Sequence, residues 1–178
     1  MNDKNRQNIG KDCAYIAVFV ALTIAAQLCL SFIPGVEVVT VLFVTFSFAF
    51  GCRRGIVAAT VFSLLRQLVF GFSPTVLVLY LVYYNLLALL FGFLGRQSKI
   101  APLRLVCLTV LACLCTICFT MMDNIITPLW YGYSKRALKI YFYASLSFMI
   151  PQVICTAVSV GVLFLPLVKI FKVLKNRH

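Results

Sequence analysis

The chain has 178 residues, of which 63% are hydrophobic and only 11% charged, with a mean hydropathy of +1.04. A soluble domain of this size has too much surface to cover with so few charges, so lipid is the solvent that fits the composition. The formal net charge of +12 does not point to nucleic acid, because the basic residues are scattered between apolar segments and form no phosphate-binding face.

Cutting at the charged and Pro/Gly-rich points predicts an all-α integral membrane protein of six transmembrane helices. The first helix covers 13–33 and ends at "IPGVE". Its apolar run has no A-x-A-like cleavage site and reads as a retained span. The second runs over 37–51 and stops at "GCRRG"; some 15 residues reach only about 22 Å, so it is expected to lie buried among the others. The third continues to 70 and ends in "FGFSP", and the fourth covers 75–95, up to "GRQSKIAPLR". The fifth runs over 104–127 and is expected to break at Pro128, and the sixth covers 140–168. Residues 13–36, 67–95 and 140–168 contain no Asp, Glu, Lys or Arg, and each is long enough to cross about 30 Å of hydrocarbon.

The whole chain, 1–178, reads as one membrane domain, with a tail at 1–12, a six-helix bundle at 13–168 and a tail at 169–178. No soluble domain or tandem repeat is evident. Six spans put both termini on one side. That side then holds Lys4, Arg6, Lys11, Arg53, Arg54, Arg96, Lys99, Arg104, Lys169, Lys172, Lys175 and Arg177, against only Lys135, Arg136 and Lys139 opposite. By the positive-inside rule both termini are expected in the cytoplasm.

Of eight cysteines, all but Cys52 lie within apolar segments, and "CLCTIC" has no C-x-x-C repeat partner and no nearby histidine. They read as small apolar filler, with no metal site expected. The one histidine is His178, so the interior lacks a histidine base.

The polar residues are more informative. Arg66 falls inside "FSLLRQLVFG", where a guanidinium at the bilayer centre costs at least about 2.5–3.5 kcal/mol and asks for a partner or a purpose. Glu37 opens the second helix at the same outer face, and Gln67 adjoins Arg66. Asp123 and Asn124 lie one turn before Pro128. The outer connection adds "LWYGYSKR", with Trp130, Tyr131 and Tyr133 overhead. One reading is a Glu37–Arg66 fastener under an ordinary interfacial aromatic belt. The other is an outward-facing pocket for a small polar solute, favoured by Asp123, which has no evident basic partner. The fourth helix contributes "YLVYYN": Tyr80 and Tyr84 share a face, and Asn85 near mid-membrane needs a hydrogen-bond partner. On the first helix Ala17, Ala21 and Ala25 recur every four residues. Such a small-residue face admits a second helix closely, either within this protein or from a separate membrane subunit.

Six spans, cytoplasmic termini and this alanine face resemble the substrate-binding (S) components of energy-coupling factor transporters. "IPGVEVVT", "FAFGCRRG" and "FGFSPTV" are similar to that family too, and the resemblance covers nearly the whole chain. It implies a multi-pass protein of the bacterial cytoplasmic membrane that captures a water-soluble vitamin or related micronutrient. The candidate substrate-binding set is Glu37, Arg66, Gln67, Tyr84, Asn85, Asp123, Asn124 and Trp130. The resemblance implies that Ala17, Ala21 and Ala25 dock a transmembrane coupling subunit driven by two cytoplasmic ATPase subunits. No G-x-x-x-x-G-K-[ST] motif is present, so ATP would be used by those partners, and no cofactor is expected in this chain. The nickel and cobalt members carry a histidine beside the N-terminal methionine; "MNDK" excludes that subgroup.

Enzyme readings fare worse. A rhomboid-like site needs an intramembrane Ser–His pair, aspartyl proteolysis needs two Asp, and lipid phosphotransfer needs several acidic metal ligands. A stand-alone secondary transporter or channel is the stronger alternative, although no inverted repeat is visible.

Overall fold

Residues 3–33, 38–96 and 102–176 are described by a computed structural model, and they fold into six helices with no strand among them. These are α1 (Asp3–Leu30), α2 (Val39–Phe50), α3 (Cys52–Phe70), α4 (Pro74–Leu94), α5 (Pro102–Tyr131) and α6 (Lys135–Asn176). Cross-helix pairs set their directions. Tyr15 meets Phe50 while Phe19 meets Phe43; Thr60 meets Asn85 while Arg66 meets Tyr80; Thr116 meets Thr156 while Thr120 meets Gln152. Consecutive helices therefore alternate in direction. Lys11, Arg53, Arg54, Arg96, Arg104, Lys169, Lys172 and Lys175 collect at one end of the bundle, here the basic end.

Four helices contain stretches long and apolar enough to cross a membrane: Gly10–Leu30, Pro74–Leu94, Arg104–Tyr131 and Lys135–Lys175. The helix α2 is apolar but has only 12 residues, and α3, interrupted by Arg53, Arg54 and Arg66, is not among the four. As the sequence suggested, α2 is the buried element: all 12 of its residues are buried and it contacts each of the other five helices. Its aromatic rings bind the bundle. Phe46 stacks on Phe19 at 4.0 Å, Phe43 meets Phe62 and Tyr84 at 5.1 and 4.8 Å, and Phe48 meets Phe164 at 5.2 Å. At Gly51 the chain adopts φ 90° and ψ 173°, a conformation that side chains with a Cβ rarely take, and this single residue separates α2 from α3.

Several boundaries differ from expectation. Helix α5 does not break at Pro128 but continues through it to Tyr131, and Pro151 and Pro166 likewise lie inside α6. Each proline removes one backbone donor, a loss that helices packed in apolar surroundings tolerate better than isolated ones. The expected tails are helical as well, since α1 starts at Asp3 and α6 extends to Asn176, through basic residues with good helix propensity. The α5–α6 connection shrinks to Gly132–Ser134, so Trp130 and Tyr131 sit on helix rather than on a loop.

The basic end is sealed by backbone contact. A Cβ on Gly92 would lie 2.5 Å from the Cys52 nitrogen, and one on Gly95 would lie 2.1 Å from the Phe48 carbonyl oxygen. Gly92→Ala is therefore expected to destabilise the protein by about 1–3 kcal/mol through overpacking against backbone that cannot rotate away. Gly161→Ala, with nothing within 4 Å, should cost nothing. Thermal melting of the two variants in detergent checks the contrast.

Candidate functional site

Three helices converge on the ring of Tyr80 in α4, near the end opposite the basic one. From α3, the Arg66 guanidinium lies 4.4 Å from the Tyr80 ring centroid and 4.8 Å from that of Phe70. From α1, the Gln27 amide donates to the Tyr80 hydroxyl at 3.2 Å. Tyr80 itself is 6% exposed and stacks near Phe62. Two aromatic faces stabilise a partly desolvated guanidinium by about 0.5–2 kcal/mol each, but they do not neutralise it. Among the described residues the one ion pair is Arg54–Asp12, at 2.8 Å near the basic end, and Arg66 has no acidic partner.

Polar atoms without partners gather at this end. The Gln27 Oε1, Thr40 Oγ1, Arg66 Nε and Gln67 Nε2 atoms are buried and unpaired. Gln67 has a structural duty at its other atom, where Oε1 accepts from the Ser73 backbone N–H at 3.0 Å and so braces the turn between α3 and α4. A buried polar atom left unpaired costs about 1–3 kcal/mol, so four near one end form a set poised to bind something polar.

The other expected site residues fall elsewhere. Asp123 does not meet Arg66, and α3 does not pack on α5. Its Oδ1 accepts from Thr127 at 2.7 Å and its Oδ2 accepts from Tyr141 of α6. Because α5 runs on to Tyr131, Asp123 lies about two turns below the helix end rather than one. It lines a 250 Å³ cleft with Phe119, Tyr141 and Gln152. Phe119 in turn sits 5.8 Å from Tyr80, so one ring pair separates the arginine from the carboxylate. Asn124 lines a different, mainly apolar cleft of about 600 Å³ with Pro128 and Tyr133; both its amide atoms are buried and unpaired. Trp130 is 59% exposed and is brought to neither group.

Two expected residues are absorbed by packing. Tyr84, 1% exposed, is ringed by Phe43, Phe62, Tyr80 and Tyr83. Asn85 accepts from Thr60 at 3.2 Å and donates to the Leu81 carbonyl at 2.7 Å, tying α4 to α3. Glu37 lies outside the described residues. Ala17, Ala21 and Ala25 are all exposed, so this face of α1 packs on no other helix among the described residues.

Gln27 escaped the sequence reading, and Tyr80 appears in it only as sharing a face with Tyr84, outside the candidate set. The signal for Gln27 was available: Ile16, Phe19, Val20 and Thr23 are buried at helical spacing, and Gln27 continues their stripe. No protein family, curated protein or solved structure matches this chain.

The Asp123–Tyr141 contact identifies Asp123 as a joint between α5 and α6. Tyr141→Phe should destabilise the protein by about 1.5–3 kcal/mol, the range for a hydrogen bond to a charged group. Adding Asp123→Leu should cost less in that background than alone. A double-mutant cycle by thermal melting checks this, and strict additivity would show that the two side chains do not act together.

Proposed function

We propose that this chain is a membrane-embedded substrate-binding subunit that captures a small polar micronutrient at the Tyr80 end of the bundle. The observation that carries this reading is the convergence of Arg66 and Gln27 on Tyr80, with unpaired polar atoms beside them. In a bilayer, the abundance of basic residues at the other end assigns that end to the cytoplasm and opens the Tyr80 site to the outside. On this reading the six helices cross in turn and both termini are cytoplasmic, with α2 a short pass enclosed by its neighbours. Arg66 anchors an anionic or strongly accepting group of the solute, and the surrounding rings cover its apolar part.

The S-component resemblance supplies the rest of the proposal. The chain serves an energy-coupling factor transporter of the bacterial cytoplasmic membrane, with two ATPase subunits and a transmembrane coupling subunit as partners. It catalyses no reaction itself and takes up a vitamin-like solute. The exposure of Ala17, Ala21 and Ala25 supports a docking face there, since the alternative of internal packing leaves no role for that stripe. The sharp break at Gly51 between α2 and α3 favours a second reading, a stand-alone secondary transporter or channel, because such proteins build sites at interrupted helices. Co-purification from native membranes discriminates the two: ATPase subunits accompany an S component and not a stand-alone carrier.

Mass spectrometry of small molecules released from the purified protein identifies the solute. With that solute, Arg66→Ala should weaken binding more than about tenfold, a loss of more than about 1.4 kcal/mol, while the melting temperature of the unliganded protein changes little. Unchanged binding by a folded Arg66→Ala protein refutes the anchoring role.

Ala21→Leu should block assembly with the coupling subunit yet leave solute binding by the isolated chain intact, because added bulk holds two helix backbones apart. Pull-down from membranes and a binding titration on the same variant check both halves. Loss of both properties together counts against the docking face.

A further inference from the structure

Between α1 and α6 lies an apolar groove of about 520 Å³. Val18 and Leu22 of α1 and Ile170 and Leu174 of α6 form its exposed walls, and buried Phe46 and Phe50 of α2 form its floor. Helices α1 and α6 meet there only through side chains, with the Phe19 and Phe171 ring centroids 6.2 Å apart. The one polar side chain of the lining, Tyr15, spends its hydroxyl on the Leu174 carbonyl at 3.2 Å. With that hydroxyl engaged, the lining offers only apolar surface, as a hydrocarbon chain requires. From Ala14 to Leu22 the groove rises about 12 Å, close to the roughly 15 Å of hydrocarbon in one leaflet.

The charge at its mouth selects the headgroup. Lys11 lies one turn before Tyr15 on the same face of α1. Arg54 lies over the Phe50 ring at 5.8 Å and pairs with Asp12, the one carboxylate at this mouth among the described residues. Lys175 donates to the Ala49 carbonyl at 3.0 Å, whereas Lys11 has no hydrogen bond or ion pair among the described residues.

We infer that this groove seats one acyl chain of an anionic phospholipid whose phosphate is held by Lys11 and met by the Arg54 guanidinium over Phe50. Basic clefts between helices at a cytoplasmic membrane surface attract such headgroups, and each buried methylene of the tail adds to the binding. The site is separate from the Tyr80 cluster and does not depend on the solute proposal.

The test is native mass spectrometry of the purified full chain, incubated with palmitoyl-oleoyl phosphatidylglycerol or with phosphatidylcholine of the same tails. The expected result is one retained phosphatidylglycerol, favoured over phosphatidylcholine by about fivefold or more, as one to two cations predict. Lys11→Gln should reduce that preference. Val18→Trp fills the groove from a position 69% exposed and should abolish the adduct, while Leu86→Trp, 58% exposed on α4, should keep it. Undiminished retention by Val18→Trp, equal loss in both tryptophan variants, or equal retention of the two lipids overturns the inference. So does a protein dimer in place of the lipid adduct.

Discussion

Everything in this fold is arranged around the complete burial of α2. Twelve residues span only about 18 Å, so the helix is enclosed by its neighbours rather than matched to a bilayer. Enclosing it on all sides brings other backbones unusually close. Gly92 and Gly95 of the α4 terminus abut the backbone of Cys52 and Phe48, and Gly55 abuts the Ser47 side chain. The rings of Phe43, Phe46 and Phe48 then meet rings of four neighbours between them: Phe43 meets α1, α3 and α4, Phe46 meets α1 and α6, and Phe48 meets α6. A short helix thus does the work usually shared by a layered core.

Much of this was legible because its causes are local. Glycines at 51 and 71 take positive φ and end α2 and α3 where the sequence placed the breaks. The shortness of the second apolar segment announced its burial. Proline misled because its cost in isolated helices was applied at Pro128, whereas packing and an apolar surround carry α5 past it. That one misreading displaced Asp123 in depth and put Trp130 and Tyr131 on a loop when they stand on helix; Tyr141, inside the expected sixth helix, gave no sign of a partner that lies on α5.

The candidate site was only half legible for a related reason. Arg66 advertises itself, since an isolated cation in an apolar run is anomalous in any context. Its neighbours do not, because a tyrosine on a buried stripe looks the same whether it packs or receives a guanidinium. Asn85 shows the converse: its depth demanded a hydrogen-bond partner, and Thr60 and the Leu81 carbonyl supply that from the protein. A side chain's partners come from other helices, and single-helix spacing does not supply them.

Along the bundle axis, tight packing and most of the unsatisfied polarity are separated, the buried Ser47 Oγ near the basic end being the exception. At the basic end the long cations cap carbonyls: Lys175 donates to Ala49, and Arg104 donates to Leu94 while its guanidinium lies over Phe48. Backbone contacts at the glycines close the same end. At the other end Gln27, Thr40, Arg66 and Gln67 hold buried atoms with no partner, and α6 contributes no buried residue before Thr156. A fold that placed these costs at random would have offset each where it arose. Concentrating them at the loosely packed end leaves the tight end to hold the helices in register, so groups at the loose end can gain partners without the bundle being rebuilt.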